Sequence, residues 1–152
     1  MKLILTTLLW LSTNLAFSMQ VSDLHGKAEE DALNREFKGG VLEGKASLLI
    51  DAEKKHGVPA ILMAAIAVQE SGGGKSRMAR KQNNVFGITP NGKKGLTFAS
   101  VEDCIEYEAK LLKNKYIGKG KNTVSKIGRT YCKGDNRWHS KVNQHIRRMA
   151  KK

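Results

Sequence analysis

The sequence predicts a mainly α-helical domain with a very small β element, and three observations lead to that fold class. Apolar side chains recur at helical spacing along most of the chain, whereas strand-like patterns are confined to residues 85–89 and 96–98. Residues 60–68 are apolar on every face, which is typical of a helix buried in a core. The length of 152 residues suits one domain and is too short for two ordinary ones.

The helices before and within the core are predicted from start and stop signals. Residues 19–40 carry a weak apolar stripe and are interpreted as a spacer or a peripheral helix. A stronger amphipathic pattern begins at Val41 and stops at Gly57. Pro59 then suits the first position of the buried helix, because the N–H that proline lacks has no partner there.

Three more helices are expected after a glycine-rich turn region at residues 83–97. Ser100 followed by Asp103 makes a capping-box pattern, which predicts a helix that continues to Tyr116. Apolar residues at helical spacing predict a short helix near residues 124–131 and a last helix that begins around Trp138.

The first 18 residues have the pattern of a secretory signal peptide. Lys2 precedes an apolar run at residues 3–11, and Ala16-Phe17-Ser18 has the small-x-small form of a cleavage site. The run is shorter than the roughly 20 residues that a membrane-spanning helix needs. We therefore expect cleavage after Ser18, a secreted or periplasmic protein, and no stable membrane insertion after cleavage.

The net charge of +13 predicts a polyanionic partner, and export makes an envelope polymer a better candidate than nucleic acid. Aromatic residues make up only 6% of the chain and no nucleic-acid recognition motif is present, so nucleic acid is not expected as a partner. The four histidines and two cysteines show no metal-ligand spacing. The sequence therefore predicts no metal and no cofactor.

Glu70 is the only acidic residue between Glu53 and Glu102, and it closes the apolar helix. Burial and the negative end of the helix dipole both raise the pKa of a carboxyl placed there, as a general acid near neutral pH requires. The other interpretation is an ordinary helix-terminal glutamate, solvated or bonded to the amides of the following glycine turn. Position alone leaves both interpretations open.

Four short motifs follow one another along the chain. They are AAIAVQESGGGKS at residues 64–76, NNVFGI at 83–88, TFASVED at 97–103, and IGRTYC at 127–132 with Trp138 and Val142 behind it. In composition and order they resemble the family-73 glucosaminidases, which are peptidoglycan hydrolases of the lysozyme-like superfamily. The resemblance covers about residues 41–146. It implies an α+β lysozyme-like fold for a glucosaminidase domain at residues 41–152.

The resemblance also implies roles for individual residues. Glu70 is the implied general acid that protonates the glycosidic oxygen, and Tyr131 is implied to line the cleft and to position substrate or stabilise the transition state. Ser71, Asn84 and Phe86 are implied to bind substrate at the floor of the sugar groove. The expected reaction is cleavage of β-1,4 links in peptidoglycan glycan strands by an endo-β-N-acetylglucosaminidase, working as a monomer.

Two features depart from the family pattern. Gly73 stands where the family usually has an aromatic residue, and we interpret the glycine run 72–74 as a break that lets a sugar chain approach the backbone near Glu70. No Asp or Glu lies between Glu70 and Glu102, although a two-carboxylate mechanism needs a second acid opposite the first. Glu102 is the nearest later candidate, whereas Asp103 is more simply a helix cap.

The missing second acid favours a one-carboxylate hypothesis, in which the 2-acetamido group of the substrate acts as internal nucleophile. A lytic transglycosylase that uses Glu70 alone is the alternative enzyme. A non-catalytic basic protein that binds envelope polymers is the alternative from another class.

Cys104 and Cys132 are 28 residues apart. A buried free thiol is one interpretation of Cys104, but export favours a disulfide between the two cysteines. Such a bond would contribute about 3.5 kcal/mol in the chain-entropy description. It would also clamp the capped helix to the segment that holds Tyr131.

Overall fold

The computed structural model describes residues 19–150, and its regular elements are helices, which confirms the mainly α prediction. The predicted signal peptide and its cleavage point lie outside the described residues. A 3-10 turn at Val21–Leu24 precedes seven α-helices within that range, which are α1 (Glu30–Phe37), α2 (Ala46–His56), α3 (Ala60–Ser71), α4 (Arg77–Gln82), α5 (Val101–Leu111), α6 (Val124–Tyr131) and α7 (Trp138–Ala150).

Helix α3 is the buried central helix that the sequence predicts. Every residue from Ala60 to Ala67 has zero exposure, and the helix packs mainly against α7 and α2. Its first turn is held by Glu53 of α2, whose Oε2 accepts the Ala60 N–H at 2.8 Å. Its last turn ends at Gly72, which has left-handed φ and ψ. No helix within residues 19–150 is both long and apolar enough to cross a bilayer.

Helix α1 lies within residues 19–40 and packs directly onto the core. Leu33 and Phe37 have zero exposure. Arg148 of α7 donates two hydrogen bonds to the Glu36 carboxylate, at 2.7 and 2.8 Å, which joins the first and last α-helices of the described chain. Helix α1 is thus part of the folded body.

The glycine run 72–74 packs against the end of α1, and our interpretation of it as a sugar-binding break is wrong. A Cβ on Gly73 would lie 2.7 Å from the Glu36 carbonyl oxygen, and Gly73 and Gly74 are both buried. The run has no side chains because two backbone segments meet there. The same contact explains why no aromatic residue stands at position 73.

The segments predicted to form a β element run side by side without forming strands. Leu96 N–H donates to the Ile88 carbonyl at 2.9 Å, but no ladder develops among the described residues. Asn84 bridges the two segments, because its Nδ2 donates to the carbonyls of Ile88 and Leu96 at 3.0 and 2.9 Å. Its side chain satisfies backbone groups that a strand ladder would otherwise use. An isolated antiparallel bridge joins Gln20 to Thr123.

The helices that carry the site are capped as local rules predict. Ser100 Oγ accepts the Asp103 N–H at 3.0 Å and starts α5, which confirms the predicted cap. Helix α5 does not continue as a regular α-helix to Tyr116 but turns into a π-helical segment, Leu112–Tyr116. Thr123 caps α6 in the same way as Ser100 caps α5, through the Lys126 N–H at 3.1 Å.

The predicted disulfide is wrong, because both cysteines are free thiols. The Cys104 thiol is buried under the loop after α4, where it is hydrogen-bonded to the backbone of Val85 and Phe86. Burial raises the pKa of this thiol to about 12. Cys132 is half-buried at the end of α6 and lines the cleft described below. The two cysteines thus lie in different places, Cys104 beneath the loop and Cys132 at the cleft wall.

Candidate active site

A cleft of about 780 Å³ opens beside the C-terminal end of α3. The loop at residues 86–92 forms one wall. The opposite wall comes from α5 and its π-helical extension, and the end of the cleft is closed by residues 130–133 after α6. Glu70 is the only acidic residue among the described residues that line it.

Glu70 is held at the cleft by contacts on two sides. Its Oε1 accepts a hydrogen bond from the indole Nε1 of Trp138 at 2.6 Å. On the other side, a Cβ built on Gly87 would lie 3.7 Å from Oε2, so bare backbone faces the carboxyl. Gly87 has a φ of +65°, which favours glycine. The carboxyl is therefore held by the indole on one side and faces the Gly87 backbone on the other.

The surroundings raise the pKa of Glu70 above its ordinary value. Burial is the main cause, and the Trp138 hydrogen bond opposes it. The charge of Asp135 raises the pKa and that of Lys141 lowers it, and these two side chains form an ion pair at 2.6 Å. The C-terminal end of α3 acts in the same direction as burial. This shift favours a carboxyl that still carries its proton in mildly acidic solution.

Trp138 lies in the core, with 1% exposure, but it also touches the site. Its ring packs on Tyr131, with centroids 5.0 Å apart, while its N–H holds Glu70. Gly128 makes room for the indole, because a Cβ there would lie 2.9 Å from Trp138 Cε3. A sequence signal for this contact existed, because a buried indole N–H needs a hydrogen-bond acceptor.

Tyr131 lines the cleft, and its hydroxyl donates to Glu108 Oε1 at 2.8 Å. Burial is the main reason why the pKa of Tyr131 lies well above its ordinary value, so the phenol keeps its proton. Its ring also packs near Tyr116, with centroids 5.7 Å apart, and Lys121 Nζ lies 5.2 Å from the Tyr116 centroid. The rings of Tyr116, Tyr131 and Trp138 thus form one continuous aromatic row.

Glu108 is the functional candidate that sequence reasoning missed. It has zero exposure, and its Oε2 has no hydrogen-bond partner in the structure. Burial is the main cause that raises its pKa to about 8. The signal in the sequence was a glutamate four residues after Cys104 and four before Leu112, on the face of α5 where the helical period predicts apolar residues.

Among the predicted substrate contacts, Phe86 lines the cleft but Ser71 and Asn84 do not. Ser71 is 5% exposed, and its Oγ donates to the Val85 carbonyl at 2.6 Å and accepts the Gly74 N–H at 3.0 Å. Asn84 has zero exposure, and its side-chain amide donates hydrogen bonds to the loop backbone at Ile88 and Leu96. The prediction of direct substrate contact is therefore corrected for both residues, which support the loop from beneath.

Glu102 does not face Glu70. It is exposed in the first turn of α5 and borders a small surface pocket that it shares with Asp51 and Lys55 of α2. The nomination of Glu102 as a second acid is therefore corrected: one helical face carries Glu102 away from the cleft, and the buried face carries Glu108 towards Tyr131. Within residues 19–150 no group of three or more His, Cys, Asp or Glu side chains is placed to hold a metal ion.

Comparison with known proteins identifies the family. The glucosaminidase family model, described as "Mannosyl-glycoprotein endo-beta-N-acetylglucosaminidase", matches residues 46–151. A "Bifunctional autolysin" of Staphylococcus epidermidis is 30% identical over 122 residues, which is 63% of this chain and 9% of that relative. The chain thus corresponds to only a small part of that curated protein.

Two solved structures of S. aureus Autolysin E share the fold. One is a catalytic mutant in complex with the disaccharide NAG-NAM, with a TM-score of 0.68 and 21% identity over 91% of this chain and 75% of that one. The other holds the muropeptide NAM-L-ALA-D-iGLU, with a TM-score of 0.68 and 21% identity over 88% of this chain and 73% of that one. This likeness confirms the predicted lysozyme-like fold. The family match covers more than half of the sequence, and the chain belongs to the glucosaminidase family of glycoside hydrolases.

Proposed function

We propose that the chain is an exported peptidoglycan hydrolase that cleaves β-1,4 bonds of glycan strands as an endo-β-N-acetylglucosaminidase. The observation that carries the proposal is Glu70, a carboxyl with a raised pKa that is held by Trp138 at the wall of a cleft of about 780 Å³. A protonated carboxyl in such a place can donate to a glycosidic oxygen. Membership of the glucosaminidase family supports the class of bond.

The reaction needs one carboxyl from the protein. Glu70 donates its proton to the glycosidic oxygen as the bond from that oxygen to C1 breaks, and the 2-acetamido carbonyl oxygen of the sugar bonds to C1. Water then attacks C1, the bond from the acetamido oxygen to C1 opens, and the proton of the water returns to Glu70. The absence of a second acid among the described cleft-lining residues supports this route.

The cleft offers polar and aromatic contacts that suit a charged glycan strand. Lys115 and Lys133 line it, and the carboxylates of peptide-substituted sugars would be attracted to them. Tyr107 also lines it and is 40% exposed, so its ring is available to stack on a sugar. Autolysin E, which has the same fold, was solved with a disaccharide and with a muropeptide.

Export and a secreted or periplasmic location are part of the proposal. They rest on the signal-peptide pattern of residues 1–18 and on the positive charge, which would hold the enzyme on an anionic wall. We expect the exported chain to begin at Met19 and to act as a monomer. Mass spectrometry of the chain recovered after expression with residues 1–18 present measures the first point, and retention of Met1 would contradict export by this signal.

A lytic transglycosylase is the second candidate, and the lone cleft carboxyl favours it equally. In that reaction Glu70 again protonates the leaving oxygen, and a hydroxyl of the same muramic sugar closes on C1 and gives its proton back to Glu70. Fragments with 1,6-anhydro-muramic ends indicate this reaction, whereas free reducing N-acetylglucosamine ends indicate the hydrolase.

Digestion of purified cell walls tests the function directly. We expect the wild-type chain to release fragments with reducing N-acetylglucosamine ends, and Glu70→Gln to release none, because the amide cannot donate the required proton. Glu102→Gln is the matched control and should digest walls at the wild-type rate. Equal digestion by Glu70→Gln would overturn the proposal, and wall binding without digestion by any variant would favour a non-catalytic binder.

A further inference from the structure

Glu108 is a carboxyl on the buried face of α5, where the helical pattern predicts an apolar side chain. It has zero exposure, and its Oε2 has no hydrogen-bond partner among the described residues. Burying an unsatisfied polar atom destabilises a protein, whereas replacing both partners of a buried hydrogen bond by apolar groups of the same shape can be neutral or stabilising. An unsatisfied group of this kind calls for an explanation other than packing.

Among the described residues, the groups that act on Glu108 supply no positive charge. Tyr131 of α6 donates to it, and Tyr116 of the π-helical segment, Glu70 of α3 and Cys104 of its own helix interact with it electrostatically. Burial raises the pKa of Glu108 to about 8, and no neighbouring cation opposes this, so the carboxyl keeps its proton at neutral pH. Glu108 is therefore a neutral hydrogen-bond partner rather than half of an ion pair.

The connection from Glu108 leads back to the cleft. The Tyr131 hydroxyl donates its single proton to Glu108 Oε1 at 2.8 Å. A phenol that has committed its proton can only accept hydrogen bonds from other groups. The ring of Tyr131 lies at the cleft wall and packs on Trp138, which holds Glu70. Two side chains, Tyr131 and Trp138, thus join the buried carboxyl to the proposed general acid.

We propose that Glu108 is a positioning residue of the reaction, which takes the Tyr131 hydroxyl proton in a hydrogen bond and so leaves the hydroxyl oxygen as an acceptor for the acetamido N–H of the sugar. The inference rests on the proposed function. When the acetamido oxygen bonds to C1, positive charge develops on the acetamido group, and an acceptor at its N–H stabilises that charge. No second carboxylate lines the cleft among residues 19–150, and the Tyr131 hydroxyl is the acceptor that this inference assigns to the task.

The test compares an apolar and a conservative variant of the buried carboxyl. Glu108→Met keeps the unbranched shape but removes the acceptor, and Glu108→Gln keeps an acceptor oxygen. We expect Glu108→Met to lower kcat by about ten- to a hundredfold with KM within about twofold, as misplacement of a catalytic contact does. Glu108→Gln should keep kcat within about fivefold of wild type, because its amide oxygen can still accept the Tyr131 hydroxyl proton. If Glu108→Met does not fold, Glu108→Leu replaces it.

A double-mutant cycle separates positioning from structure. We expect Tyr131→Phe to lower kcat as much as Glu108→Met, and the double variant to be no slower than either single one, because both remove the same contact. A wild-type kcat in Glu108→Met or in Tyr131→Phe would overturn the inference, as would multiplied losses in the double variant or a loss in Glu108→Gln equal to that in Glu108→Met.

Two further variants keep the inference apart from the proposed function. Glu70→Gln should be inactive whatever Glu108 does, and Glu102→Gln, exposed on the same helix, should match wild type. If Glu70→Gln digests glycan strands, the proposed function fails. If Glu70→Gln is inactive while Glu108→Met is fully active, only the role of Glu108 fails. Tm, measured without substrate, should be no lower in the Glu108→Met/Tyr131→Phe double variant, which lacks both partners of the buried hydrogen bond, than in Glu108→Met.

Discussion

Replacing Trp138 by phenylalanine tests how the proposed acid is tuned. The variant removes the indole N–H that bonds to Glu70 Oε1 at 2.6 Å and keeps an aromatic ring against Tyr131. That hydrogen bond lowers the pKa of Glu70, and burial raises it. Without the bond, burial is less opposed, so the pKa of Glu70 should rise further above its ordinary value.

The size of the shift follows from the strength of the lost bond. A hydrogen bond to a charged group contributes about 1.5–3 kcal/mol. Losing this bond should raise the pKa of Glu70 by an amount that corresponds to the lower end of that range, because the smaller ring admits water beside the carboxyl. The lost contacts against Gly128 should cost about 1–3 kcal/mol in unfolding free energy, within the range of large-to-small core substitutions.

The assay is the pH dependence of kcat/KM on soluble glycan fragments, measured where both proteins are folded. A general acid must be protonated, so activity falls as pH rises through the pKa of Glu70. We expect this alkaline limb to move to higher pH in Trp138→Phe, although the maximum rate falls because the carboxyl is less well oriented. Because Glu108 also titrates, at about 8, the comparison is made in Glu108→Gln proteins. A limb that is unchanged or moves to lower pH refutes the reasoning.

Three further predictions concern packing, binding and stability. Gly73→Ala should lower the unfolding free energy by about 2–4 kcal/mol, because its Cβ would lie 2.7 Å from the Glu36 carbonyl. Gly72→Ala, with only side-chain atoms at 3.8 Å or more, is the control and should cost about 1–2 kcal/mol in thermal or urea unfolding. Tyr107→Ala should raise KM for glycan several-fold at constant kcat in steady-state assays, since a rim contact contributes equally to ground and transition states; a fall in kcat alone would contradict this. Because the pKa of Glu108 is raised from 4.5 to about 8 on folding, its contribution to stability is complete below the unfolded-state pKa and is lost as pH rises through this range. Tm should therefore fall between these two pH values more steeply in wild type than in Glu108→Gln. Parallel curves of Tm against pH would contradict this prediction.

Features set by neighbouring residues in the chain could be predicted from the sequence. The run at residues 60–67 has no polar face, so its burial at the centre of the core follows from composition. Ser100 and Asp103 are three residues apart, so the cap of α5 is a local contact. The family motifs placed Glu70 and Tyr131 together, and both line the cleft.

Features set by distant contacts could not be predicted in this way. The glycine run 72–74 looked like an open loop, but its conformation is decided by residues 36–42, which precede it by about 35 positions. Cys104 and Cys132 were paired on the basis of redox environment, whereas the direction of each side chain is fixed by its own helix. The Ser71 hydroxyl donates to the carbonyl of Val85, fourteen residues later in the chain, and this contact keeps it from the cleft.

The choice between Glu102 and Glu108 shows why the face of a helix matters more than closeness in sequence. The two glutamates are six residues apart on α5, which is about one and two-thirds turns, so they point to different sides. Glu102 meets water, where a carboxylate is stable as an anion. Glu108 meets Tyr131 in a dry interior, where the neutral acid is favoured and Glu70 discourages a second negative charge. Glu108 accepts the Tyr131 hydroxyl proton from outside the cleft lining. It can therefore support a reaction that begins with a proton on Glu70 without occupying space that the substrate needs.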